Sequence, residues 1–331
     1  MGKIAVVGAG AWGTALAITA ARAGNEVTIR AREPEVVASI NEQRENSLFL
    51  PGVEIPSNIK AVADFAELDT PDFLLMVAPA QFVRLVAADL SKTLKESVPV
   101  VLCSKGIEQS SGKLISDVMA EVMPKNPLVV LSGPSFALEA ARGLPTAVTI
   151  ASKYQKLAQS LAEAIGQPTF RPYLSRDVVG AEIGGAVKNV FAIACGVVAG
   201  KQLGENARAA LITRSLAEMV RFGESRGADP ETMVGLSGLG DLILTCSSPQ
   251  SRNMSLGMAL GEGKDIAEIM KNRKTVAEGY YTSEILYRIA TEEKIDMPVA
   301  KAVYDLLHGD KKLDDVISEL LSRPISKEEM F

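Results

Sequence analysis

Short apolar runs alternate with amphipathic stretches over roughly the first half of the chain. The runs predict strands at Lys3–Val7, Glu26–Arg30, Asp72–Val77, Pro99–Cys103, Leu128–Leu131, Ala147–Ala151 and Thr169–Tyr173. Helical spacing of apolar positions predicts helices at Gly13–Ala23, Gln81–Leu94 and Lys113–Met123 between them. Such a βαβ alternation implies an α/β domain with a doubly wound, mostly parallel sheet covered on both faces. After Tyr173 the pattern is helical without comparable β-rich runs. In that part Asp229 followed by Pro230 reads as a helix N-cap with proline at the first helical position. The expected division is an α/β domain over residues 1–178 and an all-helical domain over 179–331, with Ser326–Phe331 as a short, charged, frayed end.

Composition narrows the function classes. A length of 331 residues suits two domains, and 35 Lys and Arg against 40 Asp and Glu, net −5, argue against a sequence-independent grip on nucleic acid or anionic membrane. Cys103, Cys195 and Cys246 show no CxxC spacing and the single histidine is His308, which speaks against a zinc or iron–sulfur site and for reduced cytosolic thiols. Met1 to Val7 run directly into a strand, so no cleaved signal peptide is expected. The most apolar long stretch, Ile183 to Gly200, carries Lys188 and Asn189 and would span a membrane poorly. A soluble, cytoplasmic protein without nucleic-acid partner or membrane insertion is expected.

Gly8-Ala9-Gly10-Ala11-Trp12-Gly13 follows the first predicted strand and opens a helix of small residues. In that context a GxGxxG turn predicts a Rossmann-type dinucleotide site. Gly8 permits the tight turn, Gly10 lets backbone approach phosphate, Gly13 allows close helix–strand packing, and the helix N-terminus faces the pyrophosphate. Trp12 either contacts the ligand through its backbone or covers the turn. The second strand ends in Arg30-Ala31-Arg32-Glu33, where Arg32 suits a 2′-phosphate and Glu33 keeps ribose hydroxyls, hence NAD(H), open. NADP(H) is the favoured cofactor.

With the only histidine at a predicted helix end, as a C-terminal cap, the acid–base group must be something else. Lysine serves once its pKa is lowered. Lys188 is a charge inside an apolar helix, either functional or snorkelling to the surface, and Lys105 follows a strand at the carboxyl end, either a ligand or a solvated loop charge. Gly133 and Ser135 leave another strand end, where they meet a substrate or form a plain turn. Asp241 lies among apolar residues as a functional carboxylate or a cap, and Ser251-Arg252-Asn253 follow Pro249 at a predicted helix start. An arginine there suits a bound anion, or it is simply solvated.

Taken in order, the Gly8–Ala17 segment, Ser104-Lys105-Gly106, Ser132–Ala137, Gly184-Gly185-Ala186-Val187-Lys188-Asn189, Gly238–Leu242, Gln250–Asn253 and Val276–Gly279 resemble bacterial NAD(P)-dependent glycerol-3-phosphate dehydrogenases end to end. The resemblance implies a second domain like that of 6-phosphogluconate dehydrogenases. It implies hydride transfer between NAD(P)H and dihydroxyacetone phosphate to give sn-glycerol 3-phosphate, without metal, for phospholipid synthesis, often by a homodimer. Lys188 would move the proton, Lys105 would touch substrate and cofactor, and Asp241 would orient Lys188. Gly133, Ser135, Asp241, Ser251, Arg252 and Asn253 would line the substrate, and Ala137, Arg252, Val276 and Glu278 would lie near the cofactor. Ala11 departs from the serine of many relatives and removes one phosphate hydrogen bond. Two rival readings are a related β-hydroxyacid dehydrogenase or ketopantoate-type reductase, whose substrate carries a carboxylate so that the Ser251-Arg252-Asn253 helix start discriminates, and a nicotinamide-binding sensor, which would need the glycine turn but not Lys188, Lys105 and Arg252 together.

Overall fold

The computed structural model describes residues 2–272, 277–309 and 311–322. They group into two compact units, one of Met1–Ser104 with Lys113–Val178, the other of Lys105–Gly112 with Val179–Phe331. The expected division did not foresee that Lys105–Gly112 groups with the helical unit. The segment Ser326–Phe331, expected to fray, lies outside the described residues.

The first unit is built on one eight-stranded sheet in the order β3-β2-β1-β4-β5-β6-β7-β8. Its strands are β1 (Lys3–Val7), β2 (Glu26–Arg30), β3 (Ile59–Val62), β4 (Phe73–Met76), β5 (Val100–Leu102), β6 (Leu128–Ser132), β7 (Thr146–Ala151) and β8 (Phe170–Ser175). The helices are α1 (Ala11–Arg22), α2 (Pro34–Ala38), α3 (Val83–Leu90), α4 (Ile115–Val122), α5 (Ala137–Ala141) and α6 (Gln155–Ile165). Every pairing is parallel except β6 with β7. All four residues of β4 and all three of β5 are buried, as strands covered on both faces require. Val7 pairs with Arg30 on one side and Met76 on the other, so β1 stands where the strand order reverses. Ligands of open α/β sheets bind at the carboxyl ends beside such a switch point.

Two expectations need correction. Strand β3 was not predicted: only Ile59, Lys60, Ala61 and Val62 form it, too short a run to stand out. The predicted Gln81–Leu94 helix is a 3₁₀ turn at Ala80–Phe82 followed by α3, which stops at Leu90.

The second unit is helical: α7 (Val178–Gly200), α8 (Glu205–Ser225), α9 (Pro230–Met233), α10 (Asp241–Ser247), α11 (Arg252–Gly261), α12 (Ile266–Asn272), α13 (Glu278–Glu292), α14 (Pro298–His308) and α15 (Leu313–Leu321). Asp229 caps α9 by accepting from the Glu231 N–H at 2.9 Å. Helix α7 is long and apolar enough to cross a membrane, but 78 % of its apolar window is buried inside the protein, which makes it a core helix. It meets α11 backbone to backbone. A Cβ on Gly196 would lie 2.1 Å from the Met254 carbonyl oxygen, and one on Gly257 would lie 1.9 Å from that of Ile193. Only glycine permits this approach, which sets the start of α11 beside the Lys188 turn of α7.

Glu218 on α8 is buried at 1 % exposure and accepts the Val299 and Ala300 N–H groups at 2.7 and 3.0 Å, satisfying the first turn of α14 from a neighbouring helix. Burial pushes its carboxyl up to about 7, against the lowering effect of those N–H groups. The native state therefore binds this proton more tightly than the unfolded chain. The stabilisation is fully present below the ordinary carboxyl value and is lost as pH rises through about 7. Glu218→Ala should cost about 1–3 kcal/mol in denaturant unfolding, with a larger penalty in mild acid than at alkaline pH.

Candidate active site

At the carboxyl end of β1 the chain turns through Gly8, whose φ is +111° and whose Cβ would lie 3.0 Å from the carbonyl of Val77, just past β4. A Cβ on Gly13 would lie 1.8 Å from the Gly8 oxygen, so α1 starts directly against the turn it follows. On the other side, a Cβ on Gly10 would meet nothing within 4 Å, and α1 has no side-chain cap. Helix α1 thus begins at an N-terminus without a side-chain cap and with room beside Gly10, the arrangement that receives a pyrophosphate. The residues fit a dinucleotide. Trp12, Ala11 and Ala137 are partly buried and pack against the core of this unit.

Fully buried Asn46 holds this turn from behind. Its amide donates to the Ala9 oxygen and to Thr14 Oγ1, both at 2.8 Å, while its own oxygen accepts the Phe49 N–H at 3.1 Å. Nothing in the local sequence pattern singles Asn46 out. Arg32, one residue beyond β2 and Ala31, extends a 78 % exposed side chain paired with Glu33 at 3.0 Å. Gly133 follows β6 with φ +144°, its Cβ position 3.0 Å from Val148 Cα, and Ser135 Oγ donates to the Gly133 oxygen at 3.2 Å. Ala137 opens α5.

The helical unit brings three expected residues together. Asp241 begins α10 with 1 % of its side chain exposed, and its Oδ2 accepts from Lys105 Nζ at 2.8 Å. Its Oδ1 forms an ion pair with Lys188 Nζ from the middle of α7. Lys188 is a buried residue rather than a snorkelling one, and Asp241 is no mere cap. Desolvation lowers the Lys188 ammonium from its ordinary value to about 7; Asp241 pulls it up, and the nearby Lys105 charge pushes it further down.

A fourth residue was missed. Thr245, one helical turn after Asp241, accepts from Lys188 Nζ at 2.9 Å and donates to the Asp241 backbone oxygen at 2.6 Å. The i, i+4 spacing from Asp241 is the signal that could have found it. Its hydroxyl sets the direction from which Lys188 is held.

The Ser251–Asn253 segment does start a helix, but two of its side chains serve the protein itself. Ser251 Oγ is the N-cap of α11, accepting the Met254 N–H at 3.2 Å. Asn253 is buried, donating to Asn189 Oδ1 at 2.8 Å and accepting the Gly279 N–H at 2.9 Å. It therefore ties α7, α11 and α13 together. Arg252 is the exposed member, and the charge that acts on its guanidinium is that of Glu278, the first residue of α13. Val276 lies outside the described residues. His308 ends α14, but its Nε2 lies 3.0 Å from both Ser283 Oγ and the Tyr280 oxygen, so the ring joins α14 to α13 instead of capping its own helix.

Comparison with known proteins agrees with this geometry. Residues 3–158 match the family model of the NAD-dependent glycerol-3-phosphate dehydrogenase N-terminus, and residues 177–318 match that of its C-terminus. The chain is 56 % identical to "Glycerol-3-phosphate dehydrogenase [NAD(P)+]" of Parvibaculum lavamentivorans and 54 % identical to that of Caulobacter vibrioides, in both cases over 98 % of each chain. The crystal structure of glycerol-3-phosphate dehydrogenase from Coxiella burnetii is 38 % identical, with a TM-score of 0.93, over 97 % of this chain and 99 % of that one. A ketopantoate reductase from Ralstonia eutropha, 16 % identical with a TM-score of 0.61, shares the fold alone. With both parts matched and near full-length relatives above half identity, the chain belongs to the NAD-dependent glycerol-3-phosphate dehydrogenase family.

Proposed function

We propose that the chain interconverts dihydroxyacetone phosphate and sn-glycerol 3-phosphate, with Lys188 as the group that moves the proton, supplying glycerophospholipid synthesis. The observation that carries this reading is a buried lysine, poised at about 7, gripped by a buried aspartate that a second lysine also holds. The nicotinamide, when bound, supplies or accepts the hydride at the substrate's central carbon. As that carbon gains the hydride, its oxygen takes a proton from Lys188 Nζ, leaving neutral lysine; in reverse, neutral Lys188 removes the hydroxyl proton. Lys105 stabilises negative charge developing on that oxygen, and Asp241 with Thr245 keeps Nζ aimed. Arg252 binds the phosphate through its guanidinium, which positions the reacting carbon. The backbone N–H groups after Gly10 take the pyrophosphate of the cofactor, and Arg32 favours NADP(H) by meeting a 2′-phosphate.

The test is oxidation of NADPH and NADH, in parallel, by dihydroxyacetone phosphate, followed by nicotinamide absorbance. Lys188→Ala should lower kcat by about 10²–10⁴ with NADPH binding nearly intact, and near-normal turnover would sink the assignment. Reduction needs protonated Lys188, so kcat/KM for the ketone should decline above about 7, whereas oxidation of the alcohol should rise through the same value. Arg252→Ala should raise the KM for dihydroxyacetone phosphate about 10- to 100-fold, the equivalent of a lost charged hydrogen bond. Arg32→Ala should cut the preference for NADPH over NADH by about tenfold on the same scale, and an unchanged ratio would remove Arg32 from the cofactor site.

A further inference from the structure

Lys105 acts from a segment that no named helix or strand supports. Its ion pair fixes one atom of a long side chain, which leaves the backbone of Lys105–Gly112 to be held by something else. Gly106, Ile107 and Glu108 are buried, and the segment folds on itself: Ser111 Oγ donates to Glu108 Oε2 at 2.5 Å and the Gly112 N–H to the Glu108 oxygen at 2.8 Å. Its outer end is held by α13. Gln109 Nε2 donates to Glu284 Oε2 at 2.6 Å, and Arg288 Nη2 donates to the Gln109 backbone oxygen at 3.3 Å. A Cβ on Gly112 would lie 3.3 Å from Arg288 Nη2 and 3.6 Å from Ile289 Cδ1, so the end of the segment rests on the same helix face.

Glu284 and Arg288 are spaced i, i+4 and grip the side chain and the backbone of one residue. The platform is tied to a second helix, because Tyr287 of α13 stacks on Tyr304 of α14 with ring centroids 4.0 Å apart. A cavity of about 340 Å³ opens beside Gln109, lined also by Glu284, Arg288 and both tyrosines. On that side Gln109 is met by its bonds to Glu284 and Arg288.

We propose that Glu284 and Arg288 are positioning residues for Lys105: they latch Gln109 to α13 and thereby keep the Lys105 ammonium on Asp241. This rests on Lys188 as the acid–base group. Asp241 and Lys105 are the charges that act on Lys188, and Cys246 of α10, beside Cys195 of α7, feels Lys188 in turn with its thiol pushed up by burial. Since Lys105 opposes the charge on Lys188, releasing the latch removes a repulsion, and the proton on Lys188 is held more tightly.

The experiment compares the wild type, Glu284→Ala/Arg288→Ala, Lys105→Met and the combined variant, reading kcat, KM and the pH dependence of kcat/KM. The latch variant should lose about 3- to 10-fold in kcat with little change in the KM for cofactor, and its alkaline limb should move up by about half a pH unit. On the Lys105→Met background the same two substitutions should change neither quantity, since coupled residues are not additive. Glu284→Gln keeps an acceptor for Gln109 and should restore the wild-type limb. A loss of activity that adds fully to that of Lys105→Met with the limb unmoved would show a merely structural role and overturn the proposal, as would no change in any quantity. If the wild type itself shows no limb near 7, the Lys188 assignment fails, while additivity in kcat still decides on the latch.

Discussion

The structure of the helical unit depends on one buried carboxylate. With 1 % of its side chain exposed, Asp241 can keep its charge only if cations and donors replace the water it has lost. Lys105 and Lys188 do so from points far apart in sequence, and the constraint fixes where the Lys105 segment, α7 and α10 stand. One aspartate cannot fully compensate two ammonium groups, and the more deeply buried lysine bears the imbalance. Burial first, and the second cation after it, make Lys188, though ion-paired, hold its proton weakly. Pairing alone would raise its pKa, and desolvation with the second cation outweighs the pairing.

Such a cluster demands that backbones come close enough for short side chains to meet. Both units achieve this with glycine. Gly13 seats α1 on Gly8 in the first, and the Gly196–Gly257 pair seats α11 on α7 in the second. Asn253 can bridge Asn189 and Gly279 only because that approach has been made. The close packing and the polar network are therefore one design, since the buried amides find their partners at 2.8 and 2.9 Å.

Much of this was legible in the residues. Strands β1 and β2 match the apolar runs residue for residue, because both are bounded by turns that interrupt the pattern sharply. The direction of β7 was not legible, since alternation along a strand says nothing about which way its neighbour runs. Lys188 and Asp241 stood out as charges in apolar surroundings, where burial demands a partner. Thr245 and Asn46 did not, because a hydroxyl or amide at such a position serves caps and turns just as readily. Ser251 Oγ accepts the Met254 N–H as the cap of α11, a role that its place ahead of Arg252 did not by itself distinguish from ligand contact.

If Lys188 moves the proton as proposed, charge accounting gives both lysines of the triad a part. With Lys188 protonated the three groups sum to one positive charge, and once the proton has gone Lys105 and Asp241 remain as a matched pair at 2.8 Å. The product state of the triad is therefore neutral and internally paired. Were Lys105 absent, proton transfer would strand the Asp241 carboxylate without a cation in a site from which water is largely excluded, and the barrier would rise with that uncompensated charge. In that mechanism Lys105 would act on both ends of the step. Its charge lowers the hold of Lys188 on its proton beforehand and would neutralise Asp241 afterwards, and both effects would require its ammonium to stay in place while Lys188 changes charge.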